Sequence, residues 1–390
     1  MSSGKLLEEA RASKKKLFLE FGGQGAPFLK ELTKLHEEEG LKKYFDTCFQ
    51  AFSDFEKKHK GSPLISEGMD LKGWVNDNSK APDENYLIRG SISIASIFVT
   101  HMAAFTNFLQ KGYPMPELIE NTFGATGHSQ GVAAAAFASL GKDGEEYYEA
   151  LYKYTTYMLN MGFHGQASYS RFTIEDEFLK ISAELGDKNP APMVACIGYT
   201  RDELESRVNF FNDQEKASGK DMIHISLYNT PNSMIVSGWP ERVIAFRKKY
   251  KPEMDERGCK FVYLKTTAPY HCPLTSSSIE VFDKALKEDM DFPFTQADLK
   301  VPVFSFVSGK DLRTETKNLG SLLFDEVVVQ NLHWDLSLSE VVKNSEKIEA
   351  IVDFGPSRTV AGLTQAQLDA AQKQIRILCL SNPKDLKAIF

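Results

Sequence analysis

The five residues Gly127-His128-Ser129-Gln130-Gly131 constrain this chain more than any other stretch. Before them lies Thr122-Phe123-Gly124-Ala125-Thr126, small and β-prone. After them lies Val132-Ala133-Ala134-Ala135-Ala136-Phe137-Ala138, small and helix-prone. A serine between two glycines, where a buried strand hands over to a helix, is the pattern of a nucleophile elbow. Glycine permits a turn sharp enough to lift the serine hydroxyl clear of the sheet. The helix start offers unpaired N–H groups and a positive dipole end to a developing oxyanion. The bland reading is a glycine-rich β-to-α turn. The elbow is preferred because the apolar strand and alanine-rich helix sit where the mechanism needs them.

With 390 residues the chain is long enough for two or three domains or one elaborated domain. A formal charge of −7 argues against a nucleic-acid-binding surface and suits an enzyme. The five cysteines (Cys48, Cys196, Cys259, Cys272, Cys379) are scattered and lack C-x-x-C spacing. They read as free thiols in a reducing compartment, with no disulfide frame and no metal site, and a cytoplasmic location is expected. The amino terminus lacks the apolar core of a secretory signal. The most apolar stretch, 92–108, is broken by Ser93, Ser96, Thr100, His101, Thr106 and Asn107, so a buried helix is expected there and no membrane span.

Along the chain, 1–16 reads as a polar lead-in, mobile or helical. Leu17-Phe18-Leu19-Glu20-Phe21 reads as a strand that ends in the tight turn Gly22-Gly23-Gln24-Gly25. Helical spacing covers 28–39, turn-rich composition 61–83, and a long helix 85–111. A helix is expected over 144–159 and an irregular stretch over 162–170. Residues 191–267 then run strand, helix, strand, strand, helix, strand, which is the order of a ferredoxin-like unit. The expected fold is α/β: an α/β-hydrolase-like large subdomain (17–190 and 268–390) with an inserted ferredoxin-like small subdomain (191–267). Strands are also expected at 301–306, 351–354 and 375–378.

A serine hydroxyl needs a base within hydrogen-bond reach. His128 adjoins Ser129, but neighbours on a sharp elbow point apart. His271 is the better candidate, because Pro269 and Pro273 fix the loop around it directly after the last strand of the insertion. No Asp or Glu stands out as its orienter, and a backbone carbonyl would suffice for a Ser-His dyad. The N–H of Gln130, just after the serine, is the expected first oxyanion donor. The 22–25 turn can bring a second. As a nucleotide site that turn is weak, since it lacks the Walker lysine and the full dinucleotide spacing.

Gly22-Gly23-Gln24-Gly25, Gly127-His128-Ser129-Gln130-Gly131, Asn229-x-Pro231 with Val236-Ser237-Gly238, Pro269-Tyr270-His271 and Phe354-Gly355-Pro356 occur in this order. Together they resemble the malonyl/acetyl-CoA:acyl-carrier-protein transacylases. Phe21-Gly22-Gly23-Gln24-Gly25, Tyr86-Leu87-Ile88-Arg89-Gly90-Ser91 and Gly309-Lys310-Asp311-Leu312-Arg313 are similar to the acetyltransferase domain of fungal-type fatty acid synthase and to starter-unit acyltransferase domains of polyketide and polyunsaturated-fatty-acid synthases. The resemblance implies Ser129 as nucleophile, His271 as base, and the N–H groups of Gln24 and Gln130 as oxyanion hole. It implies that a main-chain carbonyl just before a tryptophan orients the base, which points to His333 before Trp334. His128 and Asn229 would line the substrate pocket.

Malonyl-selective members carry an arginine in the helix after the elbow, to grip the free carboxylate. Met161 falls nearest that position here, and Arg171 lies further along. The expectation is therefore acetyl or another uncharged starter acyl group. It would pass from coenzyme A to the phosphopantetheine thiol of an acyl carrier protein, in fatty acid or polyketide synthesis. Coenzyme A thioester is the substrate, with no bound cofactor. The alternatives are a malonyl-CoA transacylase and an editing hydrolase using the same dyad.

Overall fold

The computed structural model describes residues 3–25 and 27–390. Their strands in chain order are β1 (Lys16–Phe21), β2 (Thr122–Gly127), β3 (Met193–Ile197), β4 (His224–Thr230), β5 (Ser233–Ser237), β6 (Lys260–Tyr263), β7 (Leu332–His333), β8 (Ile348–Asp353) and β9 (Arg376–Cys379). They form two sheets. The larger body holds β2-β1-β8-β9, all parallel. Such a sheet needs apolar cover on both faces, and β1 is buried from Leu17 to Phe21. The helices Gly90–Gln110, Gly131–Ser139 and Gly144–Ala167 contribute to that cover, the elbow helix Gly131–Ser139 being buried along its whole length.

The second sheet is ordered β6-β3-β5-β4-β7. Its first four strands, with the helices Arg201–Gln214 and Pro240–Arg257, are the βαββαβ unit expected from the sequence, and they enclose a separate apolar core around Val194, Leu204, Val236 and Phe246. Two-residue β7 comes from far beyond that segment and pairs in parallel with β4. The α/β fold class, with a ferredoxin-like insert beside a larger body, is as expected.

Several local expectations change. Met1 and Ser2 of the lead-in lie outside the described residues. The rest holds the helix Lys5–Ser13, which buries Leu6, Leu7 and Ala10. The expected strand over 301–306 is reduced to isolated bridges of Val303 with Ala125 and Phe304 with Asp311, since Pro302 lacks the N–H a ladder requires. The expected 85–111 helix is split into Glu84–Leu87 and Gly90–Gln110. The second of these is long and apolar enough to cross a membrane by length and composition, but 89% of its apolar window is buried inside the chain. All five cysteines are free.

The stretch 162–170 is helical as far as Ala167, despite Gly162 and Gly165. A Cβ on Gly162 would overlap the carbonyl of Gly90, so the glycine that suggested irregularity is what lets two long helices touch. Gly162→Val is expected to lower the thermal midpoint by a few degrees, through roughly 1–3 kcal/mol of overpacking. Thermal unfolding followed by circular dichroism measures it.

Candidate active site

The tip of β2 turns into the elbow helix at Ser129, whose φ is +54°. A non-glycine residue is seldom held there without support from its surroundings. The support comes from β1. The His128 N–H donates to the Phe21 carbonyl at 2.9 Å. A Cβ on Gly131 would overlap the carbonyls of Phe21 and Gly22, and one on Gly127 would overlap the Gly131 backbone. Both glycines of the elbow are therefore required by close approach, which is the mechanism by which the serine is raised above the sheet.

His271 also has a left-handed backbone, φ +60°. Its N–H donates to the Val328 carbonyl at 2.9 Å, and its own carbonyl accepts from Asn331 Nδ2 at 3.0 Å. Asn331 Nδ2 also donates to the Ile225 carbonyl on β4 at 2.8 Å, tying this loop to the small sheet. The imidazole is thereby held with Nε2 at 2.7 Å from Ser129 Oγ and Nδ1 at 2.9 Å from the Gln330 carbonyl. The carbonyl can only accept, so Nδ1 carries the proton and Nε2 is the free acceptor for the serine hydroxyl. Burial pushes the His271 pKa down to about 4, partly offset by the Gln330 carbonyl.

The carbonyl beside the imidazole is thus that of Gln330, and the expectation of His333 in this place is corrected. The His333 N–H pairs with the Phe306 carbonyl at 2.9 Å and its ring stacks on Tyr228 at 4.5 Å, as its place on β7 dictates. The carbonyl that faces His271 lies in the bend before that strand, three residues earlier. The carbonyl-before-tryptophan rule pointed to the right loop and the wrong residue.

Ser129 and His271 open into a cleft of about 350 Å³ between the body and the small sheet. The 22–25 turn, His128 and Asn229 line it. His128 Nε2 is bound to Asn229 Oδ1 at 2.8 Å and its ring packs on Trp334, so it is turned away from the serine. Among the described residues, neither the Gln24 nor the Gln130 backbone N–H has an acceptor within the chain. The Gln24 side chain is anchored by Ser93 Oγ at 2.6 Å and the Ile88 carbonyl at 3.1 Å. The turn is held from the side, and its N–H is left for something else.

One expected residue does not contribute to the cleft, and the nearest alternative cation is occupied elsewhere. Met161 is fully buried in the main core and does not line it. Arg171 is taken up by Glu241 at 2.9 Å and by Glu175. The sequence reading missed Lys265, which is the one lysine or arginine among the described cleft residues and pairs with Glu84. It also missed the wall formed by Thr359, Val360 and Leu363 of the helix Thr359–Ala370. An isolated lysine and a short amphipathic helix carry no signal of their own.

Residues 19–271 match a family described as starter unit:ACP transacylase in aflatoxin biosynthesis. Among curated proteins the chain is similar to the fatty acid synthase subunit beta of Saccharomyces cerevisiae, 26% identical over 75% of this chain and 15% of that protein. It is also similar to its counterpart in Schizosaccharomyces pombe, 24% identical over 99% of this chain and 19% of that protein. It spans less than a fifth of the length of these relatives. Among solved structures the fold is similar to a malonyl CoA-acyl carrier protein transacylase from Clostridium perfringens, with a TM-score of 0.66 and 18% identity over 96% of this chain and 95% of that one. The corresponding protein of Coxiella burnetii gives a TM-score of 0.63 and 20% identity over 96% and 97%.

His101, His128 and His271 are all buried, and burial holds each pKa below the ordinary histidine value, at about 3, 4 and 4. Each binds protons more readily when unfolded, so the stabilisation is complete above about pH 6.5 and is lost as pH falls towards 4. Glu20, Asp353 and Glu326, raised by burial, act in the opposite sense over this range, so the histidine share is read by difference: between pH 6.5 and pH 4 the thermal midpoint of His101→Gln should fall less, or rise more, than that of wild type, as differential scanning fluorimetry would record.

Proposed function

The chain belongs to the starter unit:ACP transacylase family, and from that premise we propose that it moves an acyl group from coenzyme A to the phosphopantetheine thiol of an acyl carrier protein, through an ester on Ser129. The observation that carries this reading is the 2.7 Å contact between Ser129 Oγ and a histidine whose other nitrogen is bound to a carbonyl. His271 Nε2 takes the hydroxyl proton as Oγ attacks the thioester carbonyl. The Gln330 carbonyl, already bound to Nδ1–H, favours the imidazolium that forms. The N–H groups of Gln24 and Gln130 hold the oxyanion. Collapse expels the coenzyme A thiolate, which takes the proton from His271, and leaves acyl-Ser129. In the second half the carrier's thiol gives its proton to His271 and attacks the ester. The thioester forms, and Ser129 leaves as an alkoxide that the imidazolium reprotonates.

The acyl group is the finer question. Met161 lies off the cleft, so the missing arginine loses its force as evidence for an uncharged acyl group. A cation stands on the cleft wall at Lys265, shared there with Glu84, and the solved proteins of the same fold are named as malonyl transferases. These observations favour a malonyl donor over the acetyl donor expected from the sequence. The uncharged reading keeps one support of its own, the apolar wall of Met193, Leu227, Ile235, Val360 and Leu363.

Incubation with equal malonyl-CoA and acetyl-CoA, followed by intact mass measurement, tests both levels. Acylated Ser129 is expected, with malonyl in excess. Ser129→Ala should abolish loading and His271→Ala should slow it about 10²–10⁴-fold. Lys265→Ala should cut malonyl loading about tenfold and leave acetyl loading within about twofold. Excess acetyl loading would restore the uncharged reading, and release of free acid in the presence of carrier protein would favour a hydrolase. No ester on Ser129 from either donor would end the proposal.

A further inference from the structure

Glu20 on β1 and Asp353 on β8 are direct register partners in the centre of the parallel sheet, and neither is exposed. Each carboxyl uses one oxygen. Glu20 Oε2 accepts from Thr364 Oγ1 at 2.6 Å, and Asp353 Oδ1 accepts from the Gly355 N–H at 2.8 Å. The other oxygen of each, Glu20 Oε1 and Asp353 Oδ2, is buried with no partner among the described residues. Among the described residues no cation faces them. The groups around Asp353 are the Cys379 thiol from β9, the Ala361 N–H and the Glu31 carboxyl from the helix Leu29–His36, with Glu20 beside it in the sheet; those around Glu20 are Asp353 and the Thr364 hydroxyl. Two bare carboxylates cannot share such a site, so it must retain a proton.

The two acids stand directly beneath the cleft. Glu20 is followed by Phe21 and the 22–25 turn, and Asp353 by Phe354, Gly355 and Pro356 of the cleft wall. The two segments are laced together above the pair. The Phe354 N–H donates to the Glu20 carbonyl at 3.0 Å and the Gly22 N–H to the Gly355 carbonyl at 3.0 Å, while the rings of Phe21 and Phe354 stack at 4.9 Å. A second branch runs from Glu20 through Thr364 to Trp334 Nε1 at 3.1 Å, and Trp334 packs on His128 beside the serine.

We propose that Glu20 is a positioning residue: one proton held between its Oε1 and Asp353 Oδ2 satisfies both unpartnered oxygens and ties the tips of β1 and β8, fixing the turn that carries the Gln24 N–H. Asp353 is the partner that takes the charge, since its other oxygen already accepts a backbone N–H. Burial raises both groups, Asp353 to about 7 and Glu20 well above the usual carboxylate range, with the Asp353 carboxyl adding to the rise of Glu20 and the Glu31 carboxyl to that of Asp353. A carboxyl raised in this way stabilises the fold at low pH and ceases to do so as pH rises through its folded value. The tie therefore fails on the alkaline side, after Asp353 has ionised and as Glu20 begins to.

The inference rests on the acyl-transfer reading for its activity arm only. Wild type, Glu20→Gln and Glu20→Leu are compared from pH 7 to pH 9.5, as full chains, by thermal midpoint and by rate of acyl loading on Ser129. Glutamine keeps an acceptor for Thr364 and offers Asp353 an N–H that does not titrate. Wild type should lose midpoint and at least roughly threefold in loading across this range, while Glu20→Gln changes by less than about twofold. Glu20→Leu should load slowly at every pH. Equal alkaline losses in wild type and Glu20→Gln would overturn the proposal. If no variant loads at any pH the acyl-transfer reading fails instead, and the midpoints alone decide the tie: a wild-type alkaline loss absent from Glu20→Gln upholds it, and parallel curves refute it.

Discussion

The carbonyl of Phe21 is the joint on which the cleft is built. It accepts the His128 N–H and occupies the space that a side chain at residue 131 would need. That one approach sets how far the elbow stands above the sheet, and hence where the Ser129 hydroxyl lies. It also fixes the elbow to the strand that continues into the 22–25 turn. The Ser129 hydroxyl and the Gln24 N–H are thus positioned by the same pair of neighbouring parallel strands. The third component, His271, is delivered from the other side by a loop anchored at Val328, Gln330 and Asn331.

The electrostatics of the cleft follow from burial. An exposed imidazole would be partly protonated near neutrality; this one is held neutral, with a defined tautomer, by loss of solvent and by one carbonyl. A carbonyl orienter adds no net charge to the site. That leaves the cleft walls, which carry no carboxylate among the described lining residues, open to an anionic substrate.

Much of this was legible in the sequence because the governing constraints are local. The elbow is five consecutive residues whose glycines answer to backbone contacts, and the βαββαβ order is written in alternation and turn chemistry. What was not legible depends on distant packing. Gly162 looks like a helix breaker until Gly90 is seen against it. Gln330 meets His271 through its main-chain carbonyl, where side-chain identity leaves no trace. Lys265 gains meaning only because the strand before it forms one wall of the cleft. The misplacement of the orienting carbonyl at His333 has the same origin: a bend of three residues separates the contact from the tryptophan that marks it.

Asn331 grips two carbonyls with one amide nitrogen, that of His271 and that of Ile225 on the small sheet. An outward swing of the smaller lobe with the imidazole fixed would therefore break one of these two bonds. With both bonds kept, widening the entrance by that motion would draw the ring off the Ser129 hydroxyl, so the shape of the entrance and the Ser129–His271 contact share one tether.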